Sequence, residues 1–286
     1  MAAIACAESN SEATIFDAAL PLSKLMKTGG GRCNLSNEIL DARELAARYP
    51  RGGKFLTSVF SRFGVEETLQ WFRARGLRLV MEDQGRVFPA SGRAADVRDL
   101  LTSEARRNGA RVRARLAVSS LQREGKAWRL ATARGTETYD KVIIATGGDW
   151  KDGPGSGYRL ARSLGHRITP LAPSLTGLQV AQTWPGTLAG LSIAGALLVA
   201  RWEGRTVAEE RGDIVFTHGG ISGPGAFRVS SRCAFLPLST RSPLALSLSS
   251  PHSDSAAVRT CSSIGVVNTQ EVPNTVSERV RNEWLR

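Results

Sequence analysis

The sequence contains few of the residues that build metal centres and disulfide frameworks. Only four cysteines and three histidines occur in 286 residues. The cysteines, at positions 6, 33, 233 and 261, have neither CxxC spacing nor a neighbouring histidine cluster. This pattern argues against a zinc site and against a dithiol redox centre. We therefore expect no bound metal.

Long apolar runs are also missing. No stretch approaches the roughly 20 residues that a helix needs to cross a bilayer. The first residues include the acidic Glu8 and Glu12 and lack the basic segment that opens a secretory signal. These observations predict a cytoplasmic protein with no membrane partner.

Arginine, in contrast, is abundant. The chain has 38 Lys+Arg against 26 Asp+Glu, a net charge of +12, and residues 43–134 hold 20 of these basic residues against 9 acidic ones. Such a region can attract nucleic acid or anionic substrates. However, its aromatic residues recur at helical spacing, which is typical of core positions; they are Phe55, Phe60, Phe63, Trp71 and Phe72. We interpret the charge as a solvated basic face and do not expect nucleic acid as a partner.

Hydrophobic periodicity predicts an α/β fold. A short apolar run ending in an acid predicts a strand over residues 13–18, and an amphipathic pattern predicts a helix over 93–108, stopped by Gly109. Alternating residues on either side of Glu124-Gly125 predict a hairpin. The apolar run at 139–148 predicts a buried strand that enters a glycine turn.

The composition predicts several domains. Prolines punctuate β-type runs after about residue 168, and serine becomes frequent after about 236. We therefore predict a cofactor domain over 1–167, an inserted β-rich domain over 168–222 and a return helix over 223–236. Residues 237–286 are expected to form a divergent, poorly ordered tail.

The segment "KTGGGRCNLSN" at 27–37 is the clearest candidate site. Three glycines allow backbone N–H groups to approach a pyrophosphate or a flavin edge, where any Cβ would clash. Arg32 would add a planar, permanently charged donor for a phosphate or an anionic reduced flavin. Asp17 ends a predicted strand, where dinucleotide sites place the acid that binds a ribose hydroxyl. Asp17 as a plain surface residue, and Gly147-Gly148 as a plain turn, remain open alternatives.

His218 lies in "THGGISGP" and is the candidate catalytic residue. An imidazole can donate or accept a proton near physiological pH. The alternative is a turn histidine that only bonds to the backbone.

Five segments resemble a known family in the same order along the chain. They are "TGGGRCNLSN" (28–37), "GRVFPAS" (85–91), "YDKVIIATGG" (139–148), "GSGYRLARSLGH" (155–166) and "FTHGGISGP" (216–224). Over about residues 1–232 the chain is similar to the FAD-binding flavoproteins of the aminoacetone oxidase and bile-acid reductase type.

The resemblance implies a partial two-dinucleotide-binding, Rossmann-like FAD domain with an inserted β-rich domain, and non-covalently bound FAD. By position, Asp17 matches the acid that holds the adenosine ribose, and the backbone of Val118 matches the strand that meets the adenine. Two further segments match those that pass the pyrophosphate and flavin; they are Gly29, Gly30, Gly31, Arg32, Cys33 and Asn34, and Ala145, Thr146, Gly147 and Gly148. Relatives carry a strand and a GxGxxG-type loop before the helix that opens here at Met1, so we expect a chain truncated at both ends.

The leading hypothesis is an FAD-dependent oxidoreductase that transfers a hydride between flavin and a small organic substrate. One alternative is a non-catalytic, truncated remnant of such a flavoprotein. Another is a basic nucleic-acid-binding protein, or a flavoprotein that acts on RNA. The sequence identifies neither the substrate nor the electron donor.

Overall fold

The structure is a computed structural model that describes residues 1–148, 156–239, 241–249 and 264–266. The chain divides into two compact units, Met1–Thr169 and Pro170–Arg286. The α-helices of the first unit are α1 (Ala2–Glu8), α2 (Ala42–Ala47), α3 (Gly53–Phe60), α4 (Val65–Arg73), α5 (Ala94–Arg107) and α6 (Gly157–Ser163), and two short 3-10 helices span Leu25–Gly31 and Asp83–Gly85. Its strands are β1 (Thr14–Phe16), β2 (Ser36–Asn37), β3 (Leu79–Glu82), β4 (Arg86–Pro89), β5 (Arg111–Arg113), β6 (Val118–Glu124), β7 (Ala127–Thr132) and β8 (Gly135–Tyr139).

The parallel pair β1–β5 is the centre of the α/β arrangement, with Ile15 opposite Val112. Helices α1 and α5 cover it, because Ile4 of α1 packs with Ala105 at the end of α5 and with Ile15. The predicted strand at 13–18 is confirmed, and so is the α/β fold class.

The predicted buried strand at 139–148 is wrong. Strand β8 ends at Tyr139, residues 141–148 form no strand, and Ile143 and Ile144 are 66% and 39% exposed. A parallel strand needs neighbours that pair with it and helices that cover it. Within the part of the chain that the structure describes, the parallel sheet consists of β1 and β5 alone, so this apolar segment finds no pairing strand.

Helices α4 and α5 share a core with the glycine loop through Phe72, Val97 and Cys33. Arg75, just beyond α4, ties three helices together. Its Nε lies 2.9 Å from an oxygen of the buried Glu104 on α5, and its Nη2 lies 3.2 Å from Glu8 on α1. The predicted helix over 93–108 is confirmed.

The expectation that the aromatic residues of the basic region form core holds only in part. Phe72 is buried, and Phe60 and Trp71 are half-buried, but Phe55 and Phe63 are 77% and 44% exposed. For these two residues the prediction is wrong. Periodicity identifies the apolar face of a helix, but it does not show whether another element covers that face.

Helix α3 approaches α2 through its backbone. A Cβ at Gly53 would lie 2.5 Å from the carbonyl oxygen of Ala46. The two helices therefore meet at the first turn of α3, and its stripe of aromatic residues is left outside the contact.

Two small antiparallel sheets complete the first unit. Strand β4 pairs with β2 and β3, and β7 pairs with β6 and β8. The predicted hairpin around Glu124-Gly125 is confirmed as the β6–β7 pair. Its inner residues Leu121 and Leu130 pack on Leu160 of α6.

The second unit is built on a six-stranded antiparallel sheet of order β14-β13-β10-β11-β12-β9. Its elements are β9 (Leu178–Gln179), α7 (Trp184–Thr187), β10 (Ser192–Trp202), β11 (Arg205–Thr217), β12 (Gly220–Ser222), α8 (Pro224–Cys233), β13 (Leu244–Ser249) and β14 (Ile264–Val266). Helix α8, predicted to return to the first domain, packs here against β11, where Gly225 lies close to Ile214.

Strand β13 differs from the expectation of a poorly ordered tail. Leu244, Leu246 and Leu248 alternate with more accessible residues and are buried, and the strand pairs with β10. Such a short alternating run gives little signal in a serine-rich sequence. The rest of the predicted tail, residues 250–263 and 267–286, lies outside the described residues. Among the described helices, none is long and apolar enough to cross a membrane.

Candidate cofactor site

The glycine loop has a backbone that only glycine adopts without strain. Gly29, Gly30 and Gly31 have φ values of +56°, +67° and +85°. A Cβ at Gly29 would lie 2.7 Å from the backbone nitrogen of Asn34 and 2.9 Å from Cε1 of Phe88, whereas a Cβ at Gly30 would meet no atom within 4 Å. Gly29 therefore lets the loop pack on β4, and Gly30 presents bare backbone to an open space.

Arg32, next to this bare backbone, is held in a fixed orientation. Its Nη1 donates to both carboxylate oxygens of Glu82, at 2.8 and 3.0 Å, and its Cζ lies 4.2 Å from the centroid of the Phe88 ring. The guanidinium remains 40% exposed, so it can still meet a ligand. Sequence reasoning missed Glu82 and Phe88 as neighbours of Arg32, although Phe88 lies in the quoted segment "GRVFPAS".

Cys33 and Asn34 lie on opposite sides of the loop. Cys33 is buried, and its side chain packs with Phe72 and Val97. Burial raises the pKa of the Cys33 thiol, and a hydrogen bond with the Thr28 side chain partly opposes this rise. A contact between Cys33 and a cofactor would therefore use its backbone, while the exposed Asn34 has its side chain available.

Lys24, five residues before Gly29, connects the start of this region to the segment Ala145–Gly148. Nζ of Lys24 donates to the carbonyl oxygen of Thr146 at 3.1 Å. The Thr146 hydroxyl in turn accepts from the amide of Gly157 at 3.1 Å, at the first turn of α6. Sequence reasoning did not assign Lys24 to the site; its position as the cation shortly before the glycines was the available signal.

Asp17 and Val118, the residues predicted to contact adenosine, follow β1 and β5, the two strands of the parallel pair. The Asp17 amide donates to the carbonyl oxygen of Arg113 at 3.1 Å, which places the residue at the carboxyl end of β1. Its Oδ1 accepts from the amide of Ala19 at 2.8 Å. Val118 packs in the same cluster as Phe16, the residue before Asp17. The acid and the predicted adenine strand are therefore neighbours.

His218 belongs to the second unit. It lies in the two-residue turn between β11 and β12, where Thr217 pairs with Gly220, and it is exposed. Among the described residues, no group of three or more histidine, cysteine or acidic side chains is placed to hold a metal ion.

The residues of the first unit fit a dinucleotide such as FAD. Bare backbone at Gly30, an oriented cation at Arg32 and an acid at the carboxyl end of a parallel strand are the donors and acceptors that a pyrophosphate, a flavin and a ribose require. Open space also lies at the glycines of plain turns such as Gly52 and Gly125, so the combination of the three features supports the fit.

The sequence matches the HI0933-like protein Rossmann domain over residues 1–279. This chain belongs to the HI0933-like family. The family is FAD-binding, which confirms the resemblance and, for the family, the FAD cofactor and the flavoprotein class.

Individual relatives agree with this assignment. The chain is 34% identical over 240 residues to a 3-dehydro-bile acid delta(4,6)-reductase of Clostridium scindens, which covers 82% of this chain and 58% of the relative. It is 27% identical to the ribosomal RNA dihydrouridine synthases of Escherichia coli and Haemophilus influenzae, over 224 and 229 residues. These matches cover 74% and 76% of this chain and 52% and 55% of the relatives. The chain therefore spans about half the length of the curated relatives it matches.

Proposed function

We propose that this chain forms part of a cytoplasmic, FAD-dependent reductase that adds hydrogen across a carbon–carbon double bond conjugated to a carbonyl group in a small organic molecule. The observation that carries the proposal is the open backbone at Gly30 beside the oriented Arg32. The names of the relatives support the type of reaction, because a delta(4,6)-reductase and a dihydrouridine synthase both saturate such a bond.

At the flavin end, the residues orient the cofactor and tune its charge. When bound, FAD supplies the hydride that one carbon of the double bond accepts. The loop at Gly30 and Gly31 would lie along the cofactor, and Arg32 would provide the positive charge. Glu82 holds that charge in place through two hydrogen bonds.

At the adenosine end, the residues bind and do no chemistry. Oδ1 of Asp17 already accepts from Ala19, so Oδ2 is the oxygen for a ribose hydroxyl. The backbone of Val118 would meet the adenine, and Lys24 binds the carbonyl oxygen of Thr146.

The second carbon of the double bond needs a proton, and His218 is the candidate donor. The assignment rests on the capacity of an imidazole for proton transfer and on the exposure of His218 in the β11–β12 turn. His218→Asn keeps a polar side chain but removes the imidazole. It should lower the rate of substrate reduction and leave FAD affinity unchanged.

A second candidate substrate is a pyrimidine base in RNA. Two relatives are named as ribosomal RNA dihydrouridine synthases, and the first unit has an exposed surface that is both basic and aromatic. In that case the same hydride addition would act on a uracil ring rather than on a free small molecule.

The visible absorption spectrum of the purified chain, before and after heat release of its ligand, tests the proposal. A flavin spectrum with free FAD in the supernatant is the expected result. The flavin is then reduced with dithionite without oxygen and mixed with a steroid 4,6-dien-3-one or with a uridine oligonucleotide. Reoxidation by either identifies the substrate class. A colourless chain that does not take up added FAD identifies the non-catalytic alternative, and a bound flavin that neither compound reoxidises contradicts the proposed reaction.

A further inference from the structure

Helix α3 and the turn that follows it carry an exposed stripe of apolar residues. Phe55 is 77% exposed, and Val59 and Phe63 are 44% exposed each. Because they are four residues apart, these side chains follow one face of the helix. Single exposed apolar residues are ordinary, but a continuous stripe indicates an interaction site.

The same segment is strongly basic. Between Glu44 and Glu66 the chain has four basic residues and no acidic one; they are Arg48, Arg51, Lys54 and Arg62. Lys54 on α3 and Arg62 in the turn that follows each precede a residue of the apolar stripe, Phe55 and Phe63. Glu44, the acidic residue at the start of this segment, is already paired with Arg48 at 3.3 Å.

An open groove of about 510 Å³ lies between α2 and α3. Arg43 and Lys54 contribute charge to its walls, and Tyr49 contributes a ring. The Tyr49 ring lies 5.7 Å from that of Phe60 and remains 46% exposed. The groove is wide open to solvent, so a nucleotide could lie along it without being enclosed.

We propose that this surface, residues 43–63, binds single-stranded nucleic acid. Bases would stack on Phe55 and Tyr49, and the basic side chains of Arg43, Lys54 and Arg62 would contact phosphates. Cations interleaved with exposed rings are the usual composition of single-strand binding sites, because every base has a face that stacks and every nucleotide carries a negative charge. The groove favours this occupant over a membrane surface, which needs no cavity. The proposal rests on the second candidate substrate of the proposed function, a base in RNA, and adds the surface that would bind the strand.

The test is fluorescence anisotropy of the full chain with a labelled single-stranded RNA of about 12 nucleotides, within the site sizes known for such proteins. The titration is repeated from about 50 to about 200 mM salt. Phe55→Ala should weaken binding about tenfold, the factor that corresponds to about 1.4 kcal/mol of lost stacking. Lys54→Glu should weaken binding and reduce the slope of log K against log salt by about 0.7 for each phosphate that the variant no longer neutralises.

Lys126→Glu is the matched control, because it makes the same change of charge at an exposed position of the β6–β7 turn. It should alter the affinity less than about twofold. Both substituted side chains on the surface are exposed, so thermal melting curves should match that of the wild type.

Three results would overturn the proposal. One is equal binding by Phe55→Ala and the wild type; another is the same loss for Lys126→Glu as for Lys54→Glu. In the third, the chain does not bind RNA but binds phosphatidylserine vesicles or self-associates. Phe55→Ala would then abolish the vesicle binding or the self-association. The flavin absorbance of each variant, measured in the same samples, separates loss of this surface from failure of the proposed reductase function.

Discussion

The guanidinium carbon of Arg32 lies 4.2 Å from the centre of the Phe88 ring, so a cation of the glycine loop rests on an aromatic residue of β4. Glu82 of the neighbouring strand β3 completes the arrangement with two hydrogen bonds. A lysine at this position would lose the planar guanidinium that donates to Glu82 and stacks on the Phe88 ring. The orientation of the charge, rather than its presence alone, is therefore encoded by β3 and β4.

Arg32→Lys should weaken FAD binding about tenfold, because the variant keeps the charge and loses its fixed direction. The free energy of unfolding should change by less than about 1 kcal/mol, since the Arg32–Glu82 pair is partly solvated. Quenching of FAD fluorescence gives the affinity, and urea titration gives the stability.

Arg129→Lys provides the control for Arg32→Lys. Arg129 pairs with Glu124 at 2.9 Å, with both side chains about half exposed. This variant should leave FAD affinity unchanged. An equal loss of affinity in both variants would show that Arg32 has no special relation to the cofactor.

Alanine substitutions at Gly29 and Gly30 should separate folding from binding. Gly30→Ala places its Cβ in open space, so it should cost only the left-handed backbone penalty of about 1–2 kcal/mol. Gly29→Ala should cost more, because its Cβ would also collide with Asn34 and Phe88. FAD affinity of the folded protein should fall strongly for Gly30→Ala, measured below its melting temperature. Unchanged affinity would mean that the loop is open to solvent only.

The acid stability of the chain should depend on Glu67. Hydrogen bonds from its own amide and from the amide of Gly64 lower the pKa of Glu67 below its ordinary value. A lowered pKa stabilises the folded state above the ordinary value and loses this effect as pH falls through the lowered one. Glu67→Gln should therefore be less stable than the wild type at neutral pH, and the gap should close toward pH 2. Urea midpoints across this range measure it.

Glu66→Gln is the neighbouring control for Glu67→Gln. The Glu66 carboxylate accepts from the Gln70 side chain at 2.8 Å on the same helix. If both substitutions give the same dependence on pH, the bond to the Gly64 amide is not the cause.

The reactivity of the thiols should follow their burial. Burial raises the pKa of Cys233 to about 11, with a small opposing effect of Arg232. Its thiol therefore stays protonated at about pH 8 and should react with iodoacetamide at least tenfold more slowly than the half-exposed Cys6. Peptide mass spectrometry over time gives both rates, and equal rates in the native protein would contradict the burial of Cys233.

The raised pKa of Cys233 also affects stability, because the folded state retains the thiol proton more strongly than the unfolded state. The contribution of Cys233 to stability is complete below about pH 9 and falls as pH rises toward 11.

Local signals predicted the local structure well. The strand before Asp17, the helix ended by Gly109 and the hairpin at Glu124-Gly125 each depend on neighbouring residues, and each is confirmed. The glycine loop was also recognisable, because three glycines before an arginine suit few structural roles other than close approach to a ligand.

Features that depend on distant partners were not predictable. The run that contains Ile143 has the composition of a buried strand, but pairing needs a neighbour that composition does not provide. Phe55 has the spacing of a core residue, yet α2 meets α3 through Gly53 instead. Glu82 belongs to no recognisable sequence motif, and only the pairing of β3 with β4 brings it to Arg32.

Arg75 has a consequence for how the first unit opens. Its guanidinium bonds to Glu8 and Glu104 and lies 3.9 Å from the ring of Trp71. Detachment of α5 from α4 would break the pair with the buried Glu104, and detachment of α1 would break the pair with Glu8. We therefore expect amides of these three helices to exchange with similar protection, and Arg75→Ala to lower the protection of all three.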